Sequence, residues 1–308
     1  MLNALATAMP MFIETEIHSP VESIDEAYGA LTVAALGIPA GYPFYDFLTL
    51  FSGIFWTITY ILLIYRGFKD KTCGMPLFVL GLNFSWEFIF GFLGEPFIST
   101  DGTLFGVSFA HATSQRFDDI LWCVFDIALL YLKFKYGKKE YKASMPYAKD
   151  AFWPVYIGLQ LFVSFWAVFF SVYEWHDGNG VYAAYMQNFF ISMLFIIQLF
   201  RTGSTKGTNM GIAICKCLGT LAPSLLGALV VVNYYKLGLF TALTFTWLPF
   251  TKMLILCCTL MDFFYIFVLY NAIKREGRNP FSLKHEEAKY EAFPADYTSR
   301  PLFESKAK

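Results

Sequence analysis

Three carboxylates stand inside apolar stretches long enough to cross a membrane: Glu87, Asp126 and Asp262. An ionisable group at that depth costs about 3 kcal/mol or more in hydrocarbon, so it faces a cavity or a partner and marks a place where chemistry is done. Asn83 precedes Glu87 by four residues, which puts both on one helix face, with Gly91 continuing the stripe and Trp86 beside it. Asp262 and Tyr265 share a face in the same way. Glu87 and Asp262 both fall near the middle of their stretches, so two carboxyls from separate helices are expected at one level, facing a common cavity. Removal from water favours the neutral form of a carboxyl. A neutral carboxylic acid is a proton donor, the reagent that an acid-initiated reaction needs.

A third candidate face carries Asp119, Trp122 and Asp126, with Asp126 the deepest and a reserve site residue. Arg116, Asp118 and Asp119 read as an ion cluster at the membrane interface. Asp118-Asp119 resembles the start of the diphosphate-binding aspartate motif of soluble terpene synthases, but position 122 is Trp where that motif needs a third acid. Lys216 and Lys252 lie near the ends of apolar stretches and are expected to snorkel to the surface. The four histidines (His18, His111, His176, His285) fall in loops, so no metal site is expected. The six cysteines show neither disulfide-scaffold nor zinc spacing, and the pairs Cys215/Cys217 and Cys257/Cys258 read as small packing residues. Asn83-Phe84-Ser85 is a glycosylation sequon placed too deep to be reached. No Walker loop, dinucleotide fingerprint, serine triad or metalloprotease spacing occurs.

The elements that must position these groups follow from composition. The chain is 56% hydrophobic and 15% charged over 308 residues, with a mean hydropathy of +0.49. That is a polytopic membrane protein, and a net charge of −1 gives nucleic acid nothing to bind. Seven apolar runs of about 20 residues can be marked, at 45–65, 75–93, 117–134, 152–173, 181–199, 211–234 and 248–269. Cations gather in alternate connections: Arg66, Lys69 and Lys71; Lys135, Lys138, Lys139, Lys142 and Lys149; Arg201 and Lys206; Lys274, Arg275, Arg278 and Lys284. Acids dominate the opposite side. The positive-inside rule therefore predicts an all-α bundle of seven transmembrane helices, N-terminus lumenal or outside and C-terminus cytosolic. Residues 1–44 form a lumenal segment without a signal peptide, 45–272 the helical domain, and 273–308 a disordered cytosolic tail.

Three classes of protein fit these residues. One is an enzyme working inside the bundle. Another is a proton-coupled transporter using Glu87 and Asp262 as a relay, weakened by the lack of an internal repeat, with Gly211, Gly219 and Pro223 as its only hint. The last is a seven-helix receptor-like protein, in which Asn83, Glu87 and Asp262 are merely interhelical pairs.

Seven helices with Asn-x-x-Trp-Glu in the second (Asn83, Trp86, Glu87) and an aspartate in the last (Asp262) resemble the integral-membrane terpene cyclases of fungal meroterpenoid and indole-diterpene biosynthesis. The resemblance covers residues 45 to 272. It implies that Glu87 and Asp262 are the catalytic acids, and that no cofactor or metal is used. An acid would protonate an epoxide or alkene on a prenyl chain attached to an aromatic headgroup, and a carbocation cascade would close the rings. Asn83, Trp86, Trp122, Asp126 and Tyr265 would contact the substrate. Aromatic faces stabilise passing cations by about 0.5–2 kcal/mol each, and Trp86, Phe90, Trp122, Phe263 and Tyr265 are the expected lining. The implied setting is the endoplasmic reticulum membrane, with a pathway epoxidase and prenyltransferase beside the cyclase.

Overall fold

A computed structural model describes residues 43–93, 103–104, 107–108, 113–144, 146–175, 177, 180–233, 249–282 and 286–289. Seven α-helices are present among them: α1 (Pro43–Asp70), α2 (Leu77–Phe88), α3 (Thr113–Ser144), α4 (Phe152–Glu174), α5 (Val181–Thr202), α6 (Met210–Asn233) and α7 (Pro249–Arg275). A π-helical turn, Ile89–Leu93, extends α2. Two short strands, β1 (Thr103–Leu104) and β2 (Val107–Ser108), pair antiparallel between α2 and α3. Prolines set several helix starts, since a ring with φ already near −65° and no N–H fits the first turn: Pro43 and Pro249 open α1 and α7, and Pro76 precedes α2. α5 is bounded by glycines in the left-handed region, Gly180 at φ 65° and Gly203 at φ 59°.

Four helical stretches are long and apolar enough to cross a membrane: Leu50–Asp70, Phe152–Glu174, Val181–Thr202 and Pro249–Arg275. Leu77–Leu93 and Met210–Leu225 are shorter apolar pieces. α3 is the charged exception, and it buries Asp119, Asp126 and Lys133 completely or nearly so. The chain is an integral membrane protein, and the exposed faces agree with that. Leu50, Ile54, Ile58 and Ile61 line one side of α1, and Leu256, Leu260, Phe263, Phe264 and Phe267 one side of α7.

α1 lies along α6 and crosses α3; α2 packs on α3, α4 and α5; α7 packs on α5 and α6. Neighbours around the bundle therefore run α1, α3, α2, α5, α7, α6 and back to α1. α4 is laid mainly against α2, with Val155, Leu159, Phe162 and Phe170 outward. Two arcs result, one of α1, α2 and α3 and one of α5, α6 and α7. Between lipid-soaked helices burial gains little, so association depends on close van der Waals packing and interhelical hydrogen bonds. The α1–α6 contact illustrates both: a Cβ on Gly219 would fall 2.8 Å from the Trp56 ring, and Ser52 Oγ donates to Gly219 O at 2.8 Å. Leu63, Leu80, Leu129, Leu132, Ile191, Phe195, Ile212 and Leu269, from all six ring helices, form one continuous apolar core.

Residues 1–42 and 290–308 lie outside the described residues, and so do the four histidines. The expectation of a disordered tail from 273 onward does not hold at its start. α7 runs to Arg275, and beyond it Glu276, only 2% exposed, accepts from Thr205 N at 2.9 Å and pairs with Arg278. Lys289 N donates to Glu276 O at 2.9 Å. A carboxylate that satisfies an otherwise open backbone N–H can order a polar segment whose composition alone reads as loose.

Candidate active site

Asn83 and Glu87, one turn apart on α2, both point between α1 and α3, where they meet Tyr60 of α1 and Asp126 of α3. Glu87 is 2% exposed and Asp126 is not exposed at all. Asn83 Nδ2 donates to Glu87 Oε1 at 2.7 Å and to Asp126 Oδ2 at 3.0 Å. It also bonds Tyr60 Oη, and the Tyr60 hydroxyl donates to Glu87 Oε1. One amide nitrogen thus holds two carboxyls of different helices side by side. The other two oxygens, Glu87 Oε2 and Asp126 Oδ1, are buried and accept no hydrogen bond from a donor among the described residues. Leaving a buried carboxyl oxygen unpaired costs about 1–3 kcal/mol, so they are the atoms through which this cluster can act on something else. The helix changes from α to π geometry two residues past Glu87, and such turns gather at functional sites.

Aromatic rings frame the cluster. Tyr60 stacks with Trp122 at 6.3 Å between centroids and lies 5.8 Å from Phe125. Trp122 Nε1 donates to Thr57 Oγ1 at 3.0 Å. Trp86 faces the other way, donating to Gly180 O at 3.0 Å and packing 5.0 Å from Phe90. Gly180 is required there, because its φ is positive and a Cβ would sit 2.6 Å from Trp86 Nε1.

Asp262 belongs to a second cluster, on the other arc. Lys216 of α6 forms an ion pair with Asp262 Oδ1 and donates to Ser192 Oγ of α5 at 2.8 Å. Ser192 Oγ also lies 3.1 Å from Cys258 Sγ. Lys216 is 1% exposed, so it does not snorkel. The ammonium turns inward because a buried carboxylate one side-chain length away gives back more than the membrane surface would. Tyr265, beneath Asp262 on α7, exchanges a hydrogen bond with Thr208 Oγ1 at 3.0 Å and meets Phe195 edge-on.

The structure therefore unites Asn83, Glu87, Asp126 and Trp122, and holds Asp262 and Tyr265 in the second cluster. At 1.5 Å per residue Glu87 stands about 15 Å from the start of α2 and Asp262 about 20 Å from the end of α7. Among the described residues no hydrogen bond or ion pair joins them directly. One expectation needs correction. Phe263 is 55% exposed on the outer face of α7, since adjacent helical residues point about 100° apart and Asp262 takes the inner face. Asp119 is wholly buried. Tyr60, Lys216 and Ser192 carry no marking spacing, although Lys216 breaks an apolar run in a chain whose buried acids need a cation.

Residues 39–276 match the family model of Pyr4-like transmembrane terpene cyclases. The chain belongs to this family and is a terpene cyclase of fungal secondary metabolism. It is 30% identical to the Pyr4-family terpene cyclase mfmH of Annulohypoxylon moriforme over 61% of this chain and 72% of that protein. It is 26% identical to terpene cyclase macJ of Penicillium terrestre, over 79% of this chain and 88% of the relative. Terpene cyclase andB of Emericella variicolor is 25% identical over 73% and 87%. No solved structure matches. This membership favours cyclisation over the transporter and receptor-like readings.

Proposed function

We propose that the chain cyclises an epoxidised prenyl-aromatic, or a related meroterpenoid precursor, by acid initiation inside a bundle of seven membrane-spanning helices. Its N-terminus is lumenal, its C-terminus cytosolic, and residues 45–272 form the cyclase domain in the endoplasmic reticulum membrane. An epoxidase and a prenyltransferase of the same membrane would supply the substrate.

The observation that carries this reading is the pair Glu87–Asp126, buried, bridged by Asn83 and left with one unspent oxygen on each carboxyl. Two like charges so close in a low-dielectric interior repel strongly, so the pair holds a proton between its members. The Tyr60 hydroxyl and the Asn83 amide fix Glu87 Oε1, leaving Oε2 to present that proton. Transfer to an epoxide oxygen breaks its C–O bond at the more substituted carbon. The neighbouring alkene then donates its π electrons to the cationic carbon, each closure moves the charge onward, and loss of a C–H proton ends the sequence. The epoxide oxygen remains as a hydroxyl and no mass is lost.

Asp262 differs because Lys216 forms an ion pair with it. It faces the migrating charge as a counter-ion and accepts the last proton. Trp122 and Tyr60 offer ring faces beside the donor, and Asn83, Asp126 and Tyr265 complete the substrate contacts.

The test is incubation of membranes containing the chain with epoxidised farnesyl and geranylgeranyl aromatics, followed by chromatography and mass spectrometry. A new product of identical mass, lost in Glu87→Gln, supports the reading. Full turnover by Glu87→Gln would overturn the donor assignment.

A further inference from the structure

An open cleft lies away from both carboxylate clusters, where α1, α3 and α5 leave the apolar layer. Its volume is about 890 Å³, and its walls come from the α1–α2 turn, the last turns of α3 and the α5–α6 loop. Six lysines line it: Lys71, Lys135, Lys138, Lys139, Lys142 and Lys206. Lysines at a helix C-terminus also offset its dipole, and that alone would explain those on α3. It does not explain why lysines of three separate segments line one cleft, nor the state of the acids.

Each acid of the lining is already engaged. Asp70 pairs with Arg66 at 2.8 Å and accepts from Gly207 N at 2.7 Å. Glu140 is held by the Thr72 hydroxyl. Asp150 binds Lys138 and Lys142 at 2.6 and 2.8 Å. Lys71, Lys139 and Lys206 make no ion pair among the described residues. Lys71 holds φ at 53°, a left-handed conformation that costs a lysine about 1 kcal/mol or more, so the turn presents it at a price in backbone energy. The hydroxyls of Thr202, which donates to Gln198 O at 2.9 Å, and Ser204, which accepts from Lys206 N at 3.3 Å, complete the wall.

Converging unpaired ammonium groups and hydroxyls, in a cleft too large for a single ion, are matched by a phosphorylated headgroup. The cleft opens at the membrane surface, beside the first cations past the apolar part of α3. Anionic lipids of the cytosolic leaflet are drawn to such basic surfaces. We infer that this cleft binds the phosphate-bearing headgroup of an anionic lipid, distinct from the terpenoid substrate. The inference rests on the membrane location and not on the acid–base roles assigned to Glu87 and Asp262.

Native mass spectrometry of the purified full-length protein in neutral detergent tests it with four probes. They are dioctanoyl phosphatidylinositol 4-phosphate, its free headgroup inositol 1,4-bisphosphate, inorganic phosphate and dioctanoyl phosphatidylcholine. The expected result is one phosphoinositide per chain, with the choline lipid not retained. Affinity should fall about fivefold in Lys139→Gln or Lys206→Gln and about thirtyfold in the double variant. Asp150→Asn, which releases Lys138 and Lys142, should tighten binding several-fold. Equal binding by wild type and all variants, or equal retention of phosphatidylcholine, overturns the site. Free inositol bisphosphate or inorganic phosphate binding as tightly as the lipid overturns the lipid assignment in favour of a soluble phosphate.

Discussion

Lys216→Met tests the second cluster most directly. The ammonium and carboxylate are 1% and 4% exposed and in direct contact, and Ser192 takes a further donor hydrogen from the lysine. Methionine keeps the length and apolar stem of the side chain, so packing changes little and the loss is electrostatic. Removing one member of a buried pair leaves an uncompensated charge and costs about 3–5 kcal/mol. Lys216→Met should lower the midpoint of thermal aggregation, followed by fluorescence-detected size exclusion, and should abolish turnover. The double variant Lys216→Met/Asp262→Asn removes the stranded charge, so much of the stability should return, with a coupling of up to about 3 kcal/mol in the double-mutant cycle. Turnover should not return, because the anion is gone. Wild-type stability in Lys216→Met would refute the buried pair. Normal turnover in the double variant would refute an anionic role for Asp262.

Glu87→Gln keeps shape and hydrogen-bonding capacity but has no acidic proton, so turnover measured by product formation should fall about 10²–10⁴-fold with insertion unchanged. Asp126→Asn should also lower turnover, since the proton is then held by Glu87 without its like-charged neighbour. Gly180→Ala forces a side chain into a positive φ and against Trp86 and Phe90, and thermal unfolding should show a loss of about 1–3 kcal/mol. The Asp150 carboxyl, outside the membrane and beside Lys138 and Lys142, is held down from its ordinary 3.8 to about 2. A group depressed on folding stabilises above its unfolded pKa and loses that contribution as pH falls toward the folded value. Hydrogen-exchange protection in residues 146–151, with the observed rate divided into the intrinsic rate at each pH, should therefore fall between pH 4 and pH 2, and Asp150→Asn should remove that pH dependence.

Much of this site was legible because membranes forbid stray polarity. Asn83 and Glu87 stand one turn apart in an otherwise apolar helix, and no lipid-facing arrangement accommodates both. Most of the helical stretches were legible for the same reason, as apolar runs between polar connections, with α3 the charged exception. Partner identity was not. Tyr60 is one of 19 tyrosines, and only its height on α1 selects it. Lys216 sits near a helix end, where a flexible side chain reaches either way, so its direction depends on Asp262 across the interface. The two-cluster arrangement depends on which helices are neighbours, and sequence periodicity carries no information about that.

The placement of the clusters has a physical logic of its own. Each carboxylate is held by residues of two other helices: Glu87 on α2 by Tyr60 of α1 and Asp126 of α3 through Asn83, and Asp262 on α7 by Lys216 of α6, itself tied to Ser192 of α5. A polar group left unmatched in the bundle is costly, so each cluster is satisfied only when its three helices are in register. The same bonds that supply the chemistry therefore specify the assembly of each arc. Apolar contacts are poor at this, because lipid competes for them equally. In a bundle this rich in phenylalanine, the few polar contacts select one packing, and the selected packing buries a bridged carboxyl pair in one arc and an ion-paired carboxylate in the other.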